Sequence, residues 1–282
     1  MKNIFLLSVL LFVSFSSFSQ KVICSLQDKN AFENKISEIY KTELLKDNFG
    51  ERIVTIGKTF LKTPYVAKTL EIGTTESLVV NLQGLDCTTF VENVLVFSLM
   101  SKVHLTSFED YIKSLENIRY IDGKLEGYAS RLHYFSEWIT NNEKKGLVKN
   151  ITANIGGMAI TKEINFMSTH RNLYPFLKDE DNYKKIQASE NYLNNEAMCI
   201  LPQNQIESNE SLIQSGDIIA LTTSIKGLDI THTGIATREK DERIHLLHAS
   251  SKGKAVEVSK LPLADYLKGI KNNTGIIVVR PQ

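Results

Sequence analysis

At Ser215 the apolar pattern of this chain changes period, and no other feature limits its possible folds as sharply. Beyond that point, apolar runs of strand length cover 217–221, 233–236, 243–249, 255–258 and 274–279, which predicts a small antiparallel sheet. Upstream the spacing is helical. Between Asn30 and Leu45 the positions Phe32, Ile36, Ile39, Tyr40 and Leu44 share a stripe, and Ile53, Ile56 and Phe60 repeat it before Lys62-Thr63-Pro64. Two N-terminal helices are therefore expected. From Cys87 to Met100, Phe90, Val94 and Phe97 form one stripe and Val91, Leu95 and Leu99 the next, the pattern of a largely buried helix. Further helices are expected over 107–116 and 128–141, the second carrying Trp138. Helices first and a sheet afterwards describe an α+β fold, with residues 101–205 read as a mixed insertion or lid and no internal repeat.

The first twenty residues stand apart. Met1-Lys2-Asn3 precedes an apolar run from Ile4 to Val13, then small polar residues up to Ser19-Gln20-Lys21. This is the pattern of a secretory signal peptide over residues 1–20, shorter than the roughly 20 apolar residues a spanning helix needs. Export is expected, most simply to the periplasm, with no stable membrane insertion after removal of the signal. Cys24 follows Lys21-Val22-Ile23 rather than a lipobox, so lipidation is not expected. Residues 21–282 then form a single domain.

Lys and Arg number 33 against 32 Asp and Glu, so the chain carries no electrostatic footprint for nucleic acid. Its three cysteines, Cys24, Cys87 and Cys199, include no CxxC pair for zinc. Two readings stay open for them: a Cys24–Cys199 bridge that leaves Cys87 free, or three free thiols. The sequence specifies no oligomeric state.

A cysteine that opens a buried helix sits where backbone N–H groups and the helix dipole favour a thiolate, so the thiol pKa of Cys87 is expected to fall. Taken alone, a free cysteine is more often a small core residue. Downstream, His232 opens one strand of an expected hairpin and His248 lies on the other. Alternation puts His248 on one face with Ile244 and Leu246, and His245 on the other. Only one of that pair can face His232. A thiol, a base and a group that orients the base are what thiol acyl transfer requires. For a lone histidine, a strand residue satisfied by its neighbours is the simpler reading.

Three segments then resemble, in order, elements of the NlpC-type cell-wall cysteine peptidases, which have a papain-like fold. Thr63-Pro64-Tyr65-Val66 is similar to the tyrosine segment, Leu85-Asp86-Cys87-Thr88-Thr89-Phe90 to the Asp-Cys-Ser element, and Ser215-Gly216-Asp217-Ile218 to the strand leading to the His-x-Gly-Ile motif, here His232-Thr233-Gly234-Ile235. Within that superfamily, Asp86 to Glu92 and Ser130-Arg131-Leu132-His133-Tyr134-Phe135 resemble a branch described as N-acetylmuramoyl-L-alanine amidase-like.

The resemblance implies Cys87 as nucleophile, His232 as base and His248 as the orienting residue. It implies an oxyanion site at the Cys87 N–H and the Tyr65 hydroxyl, and neither metal nor cofactor. The substrate of the branch is the bond between the lactyl group of N-acetylmuramic acid and L-alanine in peptidoglycan fragments. No SH3-like wall-binding segment is evident, which favours soluble muropeptides. Thr88-Thr89 stands where the commoner peptidases carry serine and then usually glycine, so their substrate contacts do not transfer directly. Thr88 and Asp86 are candidate substrate contacts, Asp86 equally a helix cap. Arg131 is a candidate clamp for a stem-peptide carboxylate, and Tyr134 and Trp138 are candidates for lining the cleft or for the core. The rival functions are a γ-D-glutamyl endopeptidase acting within the stem, a catalytically silent muropeptide-binding module and, more weakly, an acyltransferase using the same triad.

Overall fold

A computed structural model describes residues 22–41 and 48–282. The expected signal peptide over 1–20 and Leu44 of the first helix lie outside the described residues. In chain order the elements begin with β1 (Val22–Cys24), α1 (Leu26–Lys41), α2 (Phe49–Lys58), β2 (Leu78–Val80), α3 (Cys87–Lys102) and α4 (Phe108–Arg119). The middle of the chain gives α5 (Phe135–Lys144), β3 (Val148–Asn150), β4 (Met158–Ile160), the single turn α6 (Phe166–Thr169), α7 (Glu180–Asn194), β5 (Met198–Pro202) and the single turn α8 (Ile206–Asn209). The last part holds β6 (Ile218–Thr223), β7 (Ile230–Arg238), β8 (Ile244–Ser250), β9 (Ala255–Val258), α9 (Leu263–Lys268) and β10 (Asn273–Pro281).

The expected α+β architecture with an antiparallel sheet is present. The strands run in the order β4-β5-β10-β6-β7-β8-β9, each pair antiparallel. β10 lies against β6 along most of its length, and its other edge takes β5 near its start and β3 near its end. Residues 101–205, read as an insertion, thus supply three strands to this sheet. β1 and β2 form a separate parallel pair that the sequence pattern did not reveal.

Both faces of the sheet are covered, which is why its strands read as nearly continuous apolar runs. Alternation sends Ile218, Ala220, Ile235, Leu247, Ala249 and Ile277 to one face, where they join a core with Phe90, Val91, Val94 and Phe97 of α3. Ile219, Leu221, Ala236, Leu246, Ile276 and Val278 go to the other, against Leu263, Ala264 and Leu267 of α9. Phe90, Val91, Val94 and Phe97 are fully buried, each worth roughly 1.5–3 kcal/mol of transfer free energy. α3 is thereby fixed against the sheet, and its N-terminus is held at the sheet's end.

One expected helix is interrupted. Residues 128–130 make a turn of 3-10 helix, 131–134 run extended, and α5 begins only at Phe135. Arg131 bridges Tyr120 in antiparallel fashion, and its guanidinium reaches Glu71 and Glu76, the latter at 3.1 Å. That buried pairing competes successfully with the helical spacing of the segment. Tyr134 therefore precedes α5 rather than lying one turn before Trp138 within it.

Candidate active site

Asp86 starts α3. Its Oδ1 accepts from the Thr89 N–H at 2.8 Å while Thr89 Oγ1 accepts from the Asp86 N–H at 2.9 Å, a reciprocal capping box. The cap satisfies the Thr89 donor and leaves the first N–H groups of the helix, on Cys87 and Thr88, without intrahelical partners. The Thr88 N–H and hydroxyl turn to the Cys87 thiol, which is met from the sheet by the Thr233 N–H. Thr233, fixed through its hydroxyl to Ile219 O at 2.9 Å, is the chain neighbour of His232.

His232 and His248 meet as expected: His232 Nε2 lies 2.6 Å from His248 Nδ1, with the rings almost perpendicular at 84°. Register explains the contact. Ile235 pairs with Leu247, which sets Gly234 opposite His248 and makes His232 its diagonal neighbour on the same face. A Cβ on Gly234 would stand 2.9 Å from His248 Cβ and 2.8 Å from Leu247 O, so only glycine leaves His248 its place. His245 points the other way, with Nδ1 2.8 Å from Ser259 O.

The tautomers follow. If His232 is to accept a proton at Nδ1, its Nε2 must carry hydrogen and donate to His248 Nδ1. His248 then holds its own proton on Nε2, which is buried and has no hydrogen-bond partner among the described residues, with the Tyr266 ring edge-on against the imidazole at 5.5 Å.

Burial lowers His232 to about 4 and, together with the neighbouring His232, lowers His248 to about 3. Both rings are neutral at pH 7. The thiol departs from expectation: burial first, then the Asp86 carboxylate, push Cys87 up to about 11. Both outweigh the N–H and hydroxyl donors of Thr88 and Thr233. The resting pair is neutral thiol and neutral imidazole, so the proton moves only as the thiol attacks.

Two expectations follow. Asp86→Asn keeps a good cap and removes the negative charge, so alkylation of Cys87 by iodoacetamide, followed by peptide mapping at pH 8, is expected to accelerate several-fold with an unchanged melting temperature. Asp86→Ala is expected to cost about 1 kcal/mol of stability; equal alkylation rates in wild type and Asp86→Asn would show that the carboxylate does not tune the thiol. The second concerns acid. An unfolded histidine takes up its proton near pH 6.5, whereas the folded pair resists until about 4 and 3. Stability from the neutral pair is thus complete above about pH 6.5 and is lost as pH falls. The melting-temperature gap between wild type and His248→Gln is expected to shrink steadily from pH 7 to pH 4, and a constant gap contradicts this.

Cys87, Thr88, His133, Asp229, His232 and Thr233 border one cavity of about 150 Å³. A second, of about 210 Å³, is bordered by Asp86, Glu71, Glu92, Arg119 and Arg131. Thr88, Leu132, His133 and Tyr174 belong to both walls, so the two form one cleft. Tyr65 is half-buried beside Cys87: burial first, then the neighbouring acidic groups Cys87 and Asp86, raise its pKa. Among the described residues no cluster of three or more His, Cys, Asp or Glu could hold a metal ion, and all three cysteines are free thiols.

Of the other candidate contacts, Arg131 and Tyr134 border the cleft and Trp138 does not. Arg131 is 7% exposed and already neutralised by Glu71 and Glu76, so a substrate carboxylate meets no net positive charge there. Tyr134 borders the cavity, but its hydroxyl donates to Glu190 Oε1 at 2.7 Å and accepts from the Met167 N–H at 2.8 Å, a supporting wall rather than an open contact. Trp138 is fully buried and stacked on Phe135 at 4.8 Å, so it belongs to the core. The sequence reading missed Asp229, immediately before β7 and three residues before His232. Its Oδ2 accepts from Ser136 N and Oγ, both at 2.8 Å. It thus serves the N-terminus of α5, where Tyr134 provides no side-chain cap.

The model of the AmiA-like family, described as N-acetylmuramoyl-L-alanine amidase-like, matches residues 55–276, a span that includes Cys87, His232 and His248. No curated protein matches. Among solved structures, an N-acetylmuramoyl-L-alanine amidase from Bacteroides uniformis is 39% identical with a TM-score of 0.79, covering 83% of this chain and 99% of its own. A Bacteroides fragilis protein carrying a xylanase name is 42% identical with a TM-score of 0.75, covering 79% and 98%. A Legionella pneumophila protein shares the fold at 22% identity and a TM-score of 0.66, covering 90% and 94%. With the matched span taking in the whole cleft, the chain belongs to the AmiA-like, N-acetylmuramoyl-L-alanine amidase-like family.

Proposed function

We propose that this protein is an exported cysteine amidase of the NlpC-type, papain-like superfamily that hydrolyses the N-acetylmuramoyl-L-alanine bond of peptidoglycan fragments. The observation that carries the reading is the 2.6 Å His232–His248 pair, whose His232 shares one cavity with a thiol met by the Thr88 and Thr233 N–H groups. Cys87 Sγ attacks the lactyl carbonyl as His232 Nδ1 takes the thiol proton. His232 returns it to the leaving L-alanine nitrogen, giving a thioester and a free amine. Water, deprotonated by His232, then attacks the thioester and releases the muramic acid carboxylate. The oxyanion lies between the free Cys87 N–H and the Tyr65 hydroxyl. His248 accepts from His232 Nε2–H throughout and fixes the base tautomer.

The xylanase name of one relative finds no support in this cleft. Glycoside hydrolysis needs two carboxyl groups flanking the bond. Among the described residues the carboxylates of the cleft are Asp229, Asp86, Glu71 and Glu92, and each is already engaged: Asp229 by Ser136 and Ile230, Asp86 by Thr89, Glu71 by Arg131 and Glu92 by Arg119. Periplasmic action rests on residues 1–20 read as a signal peptide. Among the described residues no helix is long and apolar enough to cross a membrane.

The test is the mass of the products from a defined N-acetylmuramoyl stem peptide. Free N-acetylmuramic acid and a peptide beginning with L-alanine are expected. Cleavage after γ-D-glutamate would make the protein a stem endopeptidase, and binding without cleavage would make it a recognition module.

A further inference from the structure

His133 stands where the two cavities of the cleft meet, and the mechanism above gives it no task. Its placement is nonetheless closely specified. The ring lies 4.3 Å from that of Tyr128, which is itself stacked on Phe176 at 4.7 Å and lies beneath the Arg131 guanidinium at 5.0 Å. His133 Nε2 is 2.8 Å from Tyr128 O. A carbonyl only accepts, so Nε2 carries the hydrogen and donates, which makes Nδ1 a bare lone pair. Nδ1 has no hydrogen-bond partner among the described residues and is not sealed from the cleft. Burial and the adjacent Arg131 hold the ring pKa well below its ordinary value, so Nδ1 does not become a donor at neutral pH. A half-buried imidazole, anchored by one hydrogen bond and bordering both cavities with a bare lone pair, is placed to accept from a donor on a bound ligand.

We propose that His133 Nδ1 accepts a hydrogen bond from an amide N–H of the substrate as it passes between the two cavities, making His133 a specificity-determining residue. The inference rests on the proposed amidase reading and identifies how its substrate is held. The chemistry required of the ligand is an N–H donor, which an N-acetylmuramoyl peptide offers at the scissile amide, at the next peptide bond and at the acetamido group. A substrate that places a carbonyl or an alkylated nitrogen there meets a lone pair facing a lone pair, or a methyl group in its way.

The experiment is a cycle between protein and ligand. Affinity for N-acetylmuramoyl-L-alanyl-D-glutamate, and for three analogues methylated singly at those three nitrogens, is measured by calorimetry in Cys87→Ala and in Cys87→Ala with His133→Phe. His133→Phe keeps a ring against Tyr128 and removes the acceptor. Removal is expected to weaken the parent ligand about tenfold. Methylation at one nitrogen is expected to weaken binding similarly in the first protein and hardly at all in the second. Unchanged affinity on His133→Phe, or equal losses in both proteins at every methylated position, would overturn the proposal. If His133→Phe does not fold, His133→Asn, whose amide oxygen occupies the place of Nδ1, is expected to retain the selectivity among the methylated ligands; loss of that selectivity in a folded protein would overturn it. A parent ligand that neither binds nor is cleaved would overturn the proposed function together with this inference. Normal binding that is indifferent to His133 would overturn only the inference.

Discussion

Cys87→Ala is expected to lower kcat on a defined muropeptide by on the order of 10⁴-fold or more, with a melting temperature close to that of the wild type. Removing a nucleophile from a cooperating triad removes nearly all that the triad contributes together. The fold should tolerate it because α3 is held by Phe90, Val91, Val94 and Phe97, and its N-terminus by the Asp86–Thr89 box, none of which involves sulfur. Steady-state kinetics and thermal melting on the same preparation check both halves. Turnover that survives the substitution would remove Cys87 from the chemistry.

The largest effect on stability is expected behind Cys87. Glu92 of α3 and Arg119 of α4 are 2% and 3% exposed, with Arg119 Nε 2.8 Å from Glu92 Oε2. Arg119 Nη1 also donates to Val79 O of β2 at 2.7 Å. The pair therefore ties α3 to α4 and to the β1–β2 pair. Replacing Arg119 by leucine leaves the Glu92 carboxylate buried without its countercharge, and a loss of about 3–5 kcal/mol is expected. Glu92→Leu should be comparably harmful through the orphaned guanidinium. The double variant is expected to recover much of the loss, because two apolar groups of similar size need no compensation. Urea unfolding of the three variants measures this. Additive losses in the double variant would mean that the residues act independently.

Periodicity and local chemistry carried much of this architecture in the sequence. The stripes of residues 87–100 gave α3 because that helix is buried on most sides, and the five apolar runs after Ser215 gave β6 to β10 because both sheet faces are covered. Strand alternation put His245 and His248 on opposite faces, so that only one of them could meet His232, and the family resemblance pointed to His248. What escaped was non-local. The 128–141 segment spaces its apolar residues as a helix would, and only Glu71 and Glu76, more than fifty positions earlier, draw Arg131 into an extended path. The same pairing explains why Arg131 looked like a clamp. β1 and β2 have three residues each, too few to show a period. The thiol pKa was misjudged for a related reason: the helix terminus was visible in sequence, whereas the burial of Cys87 was not. His133 went unnoticed as a ligand contact because its significance lies in a hydrogen bond to the Tyr128 carbonyl, which no spacing rule announces.

The central claim, that Cys87 forms an acyl-enzyme with the lactyl carbonyl of muramic acid, is tested most directly by turnover in the presence of hydroxylamine. This nucleophile competes with water for a thioester, and the acyl group it captures identifies the bond that was attacked. The expected product is N-acetylmuramoyl hydroxamate, formed at the expense of free N-acetylmuramic acid while the L-alanyl peptide appears at an undiminished rate. A hydroxamate on D-glutamate, or free acid alone at every hydroxylamine concentration, would contradict the account.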